Sequence, residues 1–263
     1  MMNVHDHTGK LISISQYPTR IISLVPSQTE LLYDLGLDNR VVGITKFCVH
    51  PEEWFKHKTK IGGTKNVHIE AVKSLQPDLI IANKEENVKE QIEDLDKIAP
   101  VFTTIVYDLP SALRMIQHLG EITDTFNKAS EIVNKIEVSF SLMPSFEKLN
   151  ALYLIWKNPY MAAGGDTFIS QMLHYAGFKN LLSNVHRYPD LTEADIVNLN
   201  PNVIFLSSEP YPFKEKHIEE LKSICPEAKI ILVNGEYFSW YGSRLIMSPD
   251  YFINIKKNLI HNV

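Results

Sequence analysis

Cysteine is almost absent: Cys48 and Cys225 are the only two in 263 residues. They stand far apart without a CxxC spacing, so neither a zinc ribbon nor a disulfide framework is expected, and two unrelated buried thiols are the reading. Long apolar runs are missing too. Nowhere do 18 apolar residues follow one another, as a membrane-crossing helix needs. The opening MMNVHDHTGKLISISQYPTR lacks a basic start followed by a continuous apolar segment. A soluble chain with no visible export signal is the expectation, and the initial methionine argues against simple processing. Charge of one sign is also lacking. The 26 Lys and Arg against 31 Asp and Glu give a net -5 with no sustained basic run, so nucleic acid is not an expected partner.

Catalytic signatures are missing as well. The chain has no GxSxG, HExxH, GxxxxGK[ST] or GxGxxG, and no Asp or Glu pair stands out by spacing as acid and base. No enzyme activity and no catalytic residue are expected. Ser27 lies at a strand-to-helix turn, but Glu30 three residues later makes it an N-cap in a capping box rather than a nucleophile. AAGGDTF (Ala162 to Phe168) offers N–H groups to an anion on one reading; a tight turn with an N-cap is the preferred one. Ten histidines share no ligand spacing, so no metal site is expected. His5 and His7 are read as a loose tail, and His68, His118, His174 and His217 as surface or packing residues of helical segments. His50, in FCVHPEEW beside Phe47 and Trp54, is the candidate for a pocket wall.

What the sequence does contain is α/β alternation. RIISLV (Arg20 to Val25) is an apolar run suited to a strand covered on both faces, and SQTELLYDLG then reads as a short helix stopped at Gly36. VVGI, a short helix near Pro51 to Lys56, HIEAVKSLQPDLIIAN, ENVKEQIEDLDKIA, VFTTIVY and PSALRMIQHLGEI continue the pattern to Ile122. Phe126, Ala129, Ile132, Val133 and Ile136 then mark one face of a long helix, which over some 25 residues would span roughly 37 Å, with Pro144 kinking or ending it. ALYLIW, DTFISQMLHYAGF, VIFLSS, FKEKHIEELKSI, KIILV and YFINIKKNLI form a second series. VKSLQPDLIIAN (Val72 to Asn83) and IVNLNPNVIFLS (Ile196 to Ser207) are a weak internal repeat. The expected organisation is an N-terminal segment 1–19, a first α/β lobe 20–122, a connecting helix 123–149 and a second α/β lobe 150–263.

EYFSWYGSR (Glu236 to Arg244) fits neither a helix nor a strand pattern, yet four of its nine residues are aromatic. It follows the strand KIILV, and in α/β sheets ligands collect beyond the carboxyl ends of strands. Trp240 and Arg244 are ligand candidates, because an indole face and a guanidinium suit a large, flat or anionic molecule. Phe238 and Tyr241 also suit a covering role over the last helix.

RIISLVPSQTELLYDLGL, VHIEAVKSLQPDLIIAN, the mid-chain helix, GGDTFISQMLHYAGFKNLL and NPNVIFLSS, in that order, resemble the helical-backbone (class III) substrate-binding proteins of ABC importers. That family carries cobalamin, haem and iron-siderophore complexes. The likeness runs from about Arg20 to the last helix. It implies two α/β lobes joined by one long rigid helix, with a metal chelate in the cleft between them, an ABC transporter permease as partner, a monomer, and no catalysis. A periplasmic or membrane-associated location is implied; with no signal visible, a cytoplasmic one stays open. The cobalamin-binding branch looks closest. Its cleft-lining loop matches Glu236, Phe238 and Trp240, its second-lobe strand end matches Trp156, and the aromatic before its repeat helix matches Tyr188. Tyr160 joins them from its place in the NPYM loop. GGTKNV, with Thr64 and Lys65, departs from the tryptophan that cobalamin binders carry there. Transporter docking matches Glu70 in the first lobe. The 124-residue offset between Pro77 and Pro201 places its counterpart at Ala194, where Glu193 or Asp195 takes the role and Glu193 is preferred. Two rival readings are an intracellular corrinoid or haem carrier coupled to no transporter, and an enzyme using the same cleft.

Overall fold

The computed structural model describes residues 2–14 and 17–261; Met1, on which the processing argument rests, lies outside them. The chain divides into two compact units. One comprises the chain up to Val106 with Pro110–Ile136 and Tyr241–Arg244; the other comprises Tyr107–Leu109, Glu137–Trp240 and the chain from Leu245 onward.

The first unit opens with an antiparallel hairpin, β1 (Met2–His5) and β2 (Leu11–Ile14). A five-stranded parallel sheet follows: β3 (Ile21–Ser23), β4 (Val41–Ile44), β5 (Thr59–Lys60), then, after a short hairpin of β6 (Gly62–Gly63) and β7 (Asn66–Val67), β8 (Leu79–Asn83) and β9 (Val101–Thr104). Its order is β5-β4-β3-β8-β9. Ile21, Ile22, Leu79, Ile80 and Ile81 are all fully buried, as central parallel strands with helices on their faces require. The helices are α1 (Pro26–Asp34), α2 (Glu52–His57), α3 (Ile69–Ser74), α4 (Lys89–Leu95) and α5 (Leu109–Ile122).

Two local expectations fail here. Helix α1 begins at Pro26 with Val25 as N-cap and no side-chain cap, because proline fits the first helical position, where its missing N–H costs nothing. Ser27 is therefore inside the helix, and Glu30 is free for a different partner. The helix does stop at Gly36, whose φ of +81 is the left-handed conformation glycine adopts without strain. Nor are His5 and His7 in a loose tail. The Asp6 carboxylate accepts from Thr8 N, Thr8 Oγ1 and Lys10 N, shaping the hairpin turn. His7 donates its backbone N–H to Thr103 O at 3.1 Å, and its ring lies 3.0 Å, Nε2 to Nδ1, from His118. Burial lowers the His7 pKa.

Helix α6 (Phe126–Ser141) has 16 residues and so spans about 24 Å; it starts in the first unit and ends in the second. The expected range Thr123 to Leu149 was too long. Met143 precedes Pro144, which disfavours helical backbone at that position, and the chain from Leu149 is already strand. Ala129, Ile132, Val133 and Ile136 are buried as the spacing predicts, but Phe126 is 54% exposed.

The second unit holds β10 (Leu149–Trp156), β11 (Tyr160–Ala162), β12 (Phe178–Asn180), β13 (Asp190–Leu191), β14 (Val203–Ser207) and β15 (Lys229–Val233), in the order β13-β11-β10-β14-β15 with β12 also paired to β10. β12, β14 and β15 run parallel to their neighbours, while β11 is antiparallel to β10. Its helices are α7 (Phe168–Tyr175), α8 (Glu193–Leu199), α9 (Glu215–Ile224), α10 (Glu236–Ser239) and α11 (Ser248–His261). Side chains alternate across the strands. Leu152, Leu154, Ile204, Leu206 and Ile230 build an aliphatic core with Ile196 and Leu221. Tyr153 and Phe205 instead join an aromatic cluster with Phe178, Phe238 and Phe252.

The internal repeat is exact in structure at the 124-residue offset. Ile69 and Glu193 start the two helices, Gln76 and Asn200 follow them in left-handed conformation, and Leu79–Asn83 and Val203–Ser207 are the strands. Asp78 Oδ1 accepts from Arg20 N at 2.8 Å, and Asn202 Oδ1 accepts from Asn150 N at 2.9 Å. The Asp or Asn after each proline thus ties the incoming strand to its neighbour.

Candidate ligand-binding site

Strands β10, β14 and β15 run parallel and end at Trp156, Ser207 and Val233. Their following loops are where an α/β sheet collects ligand. Trp156 is 40% exposed, with the Tyr211 ring edge-on at 5.6 Å. Tyr211 N donates to Ile155 O, which holds that loop against the end of β10. Tyr160 packs partly against the aliphatic core, and burial raises its pKa. Lys157 is engaged by the Glu220 carboxylate. Tyr188 is half-buried, with the Arg187 guanidinium 5.7 Å from its ring. Glu236 is half-buried in the first turn of α10.

EYFSWYGSR is divided between the units, with the change falling after Trp240. Its first four residues are the helical turn α10, and Trp240 N donates to Glu236 O. Phe238 is 0% exposed and sits in the aromatic cluster, 4.7 Å from Phe252 and 5.2 Å from Tyr153; its expected place as a ligand contact is corrected to core. Tyr237 stacks on Tyr251 at 4.3 Å. Trp240 is 5% exposed and gives its indole N–H to Glu209 Oε1 at 2.9 Å, an oxygen that also accepts from Ser239 Oγ at 2.6 Å. In the first unit, Tyr241 donates its hydroxyl to Glu86 Oε1 at 2.6 Å. Burial and that carboxylate hold the Tyr241 pKa well above the usual phenol range.

Arg244 is also corrected. Its Nε and one terminal nitrogen donate to the two oxygens of Glu30 at 2.9 and 2.6 Å, a bidentate fork with both side chains largely buried. The guanidinium is committed to Glu30, not held out for an anion. Burial raises the Glu30 pKa in spite of the Arg244 charge. The segment's composition is thus largely explained by the fold: Phe238 fills core, and the polar edges of Trp240, Tyr241 and Arg244 meet three carboxylates.

In the first unit, His50 is half-buried in the loop after β4, and Phe47 in the same loop is exposed. Thr64 and Lys65 form the β6–β7 turn, where Asn87 donates to Thr64 O at 2.9 Å. In AAGGDTF the cap is Thr167, which accepts from Ser170 N. Gly164 and Gly165 give their N–H groups to Arg187 O and Val185 O at 2.8 and 2.7 Å, so this loop has other uses for them than an anion. Glu70 is exposed in the first turn of α3, with Lys73 2.7 Å away. Asp195 closes a capping box with Thr192, which lowers its pKa, whereas Glu193 is exposed outside that box.

Among the described residues no group of three or more His, Cys, Asp and Glu could hold a metal ion, and no helix is long and apolar enough to cross a membrane.

A periplasmic binding protein family model matches residues 21–224, most of the chain. The chain belongs to this periplasmic binding protein family. Relatives of the chain include an uncharacterized ABC transporter substrate-binding lipoprotein of Bacillus subtilis, 29% identical over 77% of this chain and 68% of its own length. Among solved structures, the periplasmic vitamin B12 binding protein of Vibrio cholerae superposes with a TM-score of 0.78 at 18% identity, covering 93% of this chain and 98% of that one. The periplasmic heme-binding protein of Roseiflexus sp. RS-1 does so with a TM-score of 0.77 at 18% identity, covering 91% and 98%.

Sequence reasoning missed Tyr211, Glu209, Glu86 and the partner role of Glu30. Tyr211 and Glu209 were reachable by applying the strand-end rule to the loop SSEPYPF after β14 as it was applied to EYFSWYGSR. Glu86 follows β8 in the same way.

Proposed function

We propose that this periplasmic binding protein is the substrate-binding receptor of an ABC importer, taking a metal chelate and performing no catalysis. The observation that carries the reading is the exposed Trp156 with Tyr211 beside it, beyond the ends of parallel strands. An exposed indole face of this kind suits a flat metal macrocycle, and two structural neighbours are named for vitamin B12 and heme. Tyr160, Tyr188, Glu236 and Trp240 are the second unit's further candidates; His50 is a candidate in the first unit taken by itself. The receptor would act outside the cytoplasmic membrane, as a lipoprotein or periplasmic protein, and as a monomer.

Purified protein mixed with cyanocobalamin, haemin and a set of ferric siderophores is expected to form a coloured complex with one class and to lose tryptophan fluorescence. Trp156→Ala should weaken that complex about tenfold or more, since an aromatic ring buries roughly 150 to 250 Å² against a partner. Its unfolding temperature should hardly move, because the ring is exposed and outside the core. Undiminished affinity in Trp156→Ala would remove this residue from the site.

Glu70 and Glu193 are proposed to meet cationic groups on the permease. The Glu70–Lys73 pair is exposed and worth about 0 to 1 kcal/mol, so Glu70→Ala with Glu193→Ala should leave folding and ligand affinity intact. Uptake and docking to permease in vesicles should slow, most clearly at low salt, because such charges set encounter rate and register. Normal transport by the double variant would assign docking to other residues.

A further inference from the structure

We infer that Glu209 is a positioning residue for Trp240, and so sets the affinity of the binding surface without touching ligand itself. This rests on the proposed site in the second unit. Glu209 stands two residues beyond the end of β14, and its backbone is clamped there: Ser207 Oγ donates to Glu209 O at 2.6 Å and accepts from Glu209 N at 3.3 Å. The end of β15 is locked to the same place. Gly235 N donates to Ser208 Oγ at 3.0 Å, and a Cβ on Gly235 would run into Ser207 Oγ and come within 2.9 Å of Glu209 Cγ. Only glycine lets the two loops pass this closely.

From that anchor, one carboxylate oxygen receives both Ser239 Oγ and the Trp240 indole N–H. An indole has a single hydrogen-bonding group, a donor, so the position of the acceptor fixes the direction of the N–H edge and, together with the ring's attachment at Cβ, restricts how the ring can turn. The arrangement recurs next door in sequence. Tyr241 hands its hydroxyl to Glu86, which follows β8 as Glu209 follows β14, one residue later in the repeat. Two consecutive aromatics are thus each held by a carboxylate from the loop after a repeat strand, which argues against a chance contact at Glu209.

The test uses the full chain labelled with 5-fluorotryptophan. Its three tryptophans, Trp54, Trp156 and Trp240, give three fluorine resonances, with Trp240 assigned by Trp240→Phe. Without ligand, Glu209→Ala is expected to shift and broaden the Trp240 resonance and leave that of Trp54 in place. Binding of whichever probe forms the complex, cyanocobalamin, haemin or a ferric siderophore, should weaken about tenfold, the equivalent of roughly 1.4 kcal/mol. Glu209→Gln keeps an amide oxygen as acceptor and is expected to restore both the resonance and most of the affinity. Should Glu209→Ala not fold, Glu209→Asp, one methylene short of the indole, is expected to move the same resonance. An unmoved Trp240 resonance, or a glutamine variant as weak as the alanine one, overturns the inference. A displaced Trp240 resonance with undiminished affinity overturns instead the placing of Trp240 at the ligand site.

Discussion

Phe238→Ala is expected to destabilise the protein by about 3 to 5 kcal/mol, the range for removing a large buried ring from a core that cannot collapse around the gap. Phe238 is wholly buried, and its ring lies 4.7 Å from Phe252, 5.2 Å from Tyr153 and 5.8 Å from Phe205. Those neighbours come from β10, β14 and α11, so no single loop can shift to fill the space. Urea unfolding should show a lower midpoint. Where the variant is still folded, its affinity for the chelate should match that of the parent. Unchanged stability with lost binding would return the ring to the ligand surface.

Arg244→Ala should cost about 3 kcal/mol or more, as expected when one member of a buried ion pair is removed and the other is left desolvated. The loss has a definite pH dependence. Burial already raises the Glu30 pKa against the opposing pull of the Arg244 hydrogen bonds and charge. Removing Arg244 takes those opposing contributions away, so the folded-state pKa rises further above the unfolded one. A group raised in this sense stabilises the fold when protonated, and that contribution is lost as pH rises through its folded pKa. The gap between variant and parent should therefore be widest near neutral pH and narrow on acidification. Thermal melts at about pH 7.5 and about pH 5 read this directly; a gap that widens at the lower pH would contradict it. Glu30→Gln keeps only one acceptor oxygen for the guanidinium and leaves the Arg244 charge unpaired, so it should destabilise the fold as well.

Much of the framework was legible in sequence because its causes are local or periodic. A strand buried on both faces is apolar along most of its length, so RIISLV, LIIAN and VIFLS declare themselves, and KIILV does so as an apolar run although it is a partly buried edge strand. The repeat was visible because the Pro-Asp or Pro-Asn step performs the same hydrogen bonding in both units. The N-terminal hairpin was missed, since β1 and β2 are only four residues each and are held by Asp6 and by contacts at Thr103 and His118, some hundred positions away. The capping box at Ser27 was misread because two start signals compete there, and Pro26 at the first helical position prevails.

The sequence alone determined the α/β class, the repeated helix-proline-strand unit, and the position of EYFSWYGSR beyond a strand end. What that segment does was decided only by tertiary structure. Trp240, Tyr241 and Arg244 are separated from their carboxylates by 31, 155 and 214 positions. A pattern rule reads neighbours along the chain and cannot see an acid supplied from so far away. An aromatic or an arginine carries the same composition whether its polar edge meets solvent, ligand or a partly buried glutamate. The fold alone brings that partner up, and burial then makes the bond strong enough to commit the side chain.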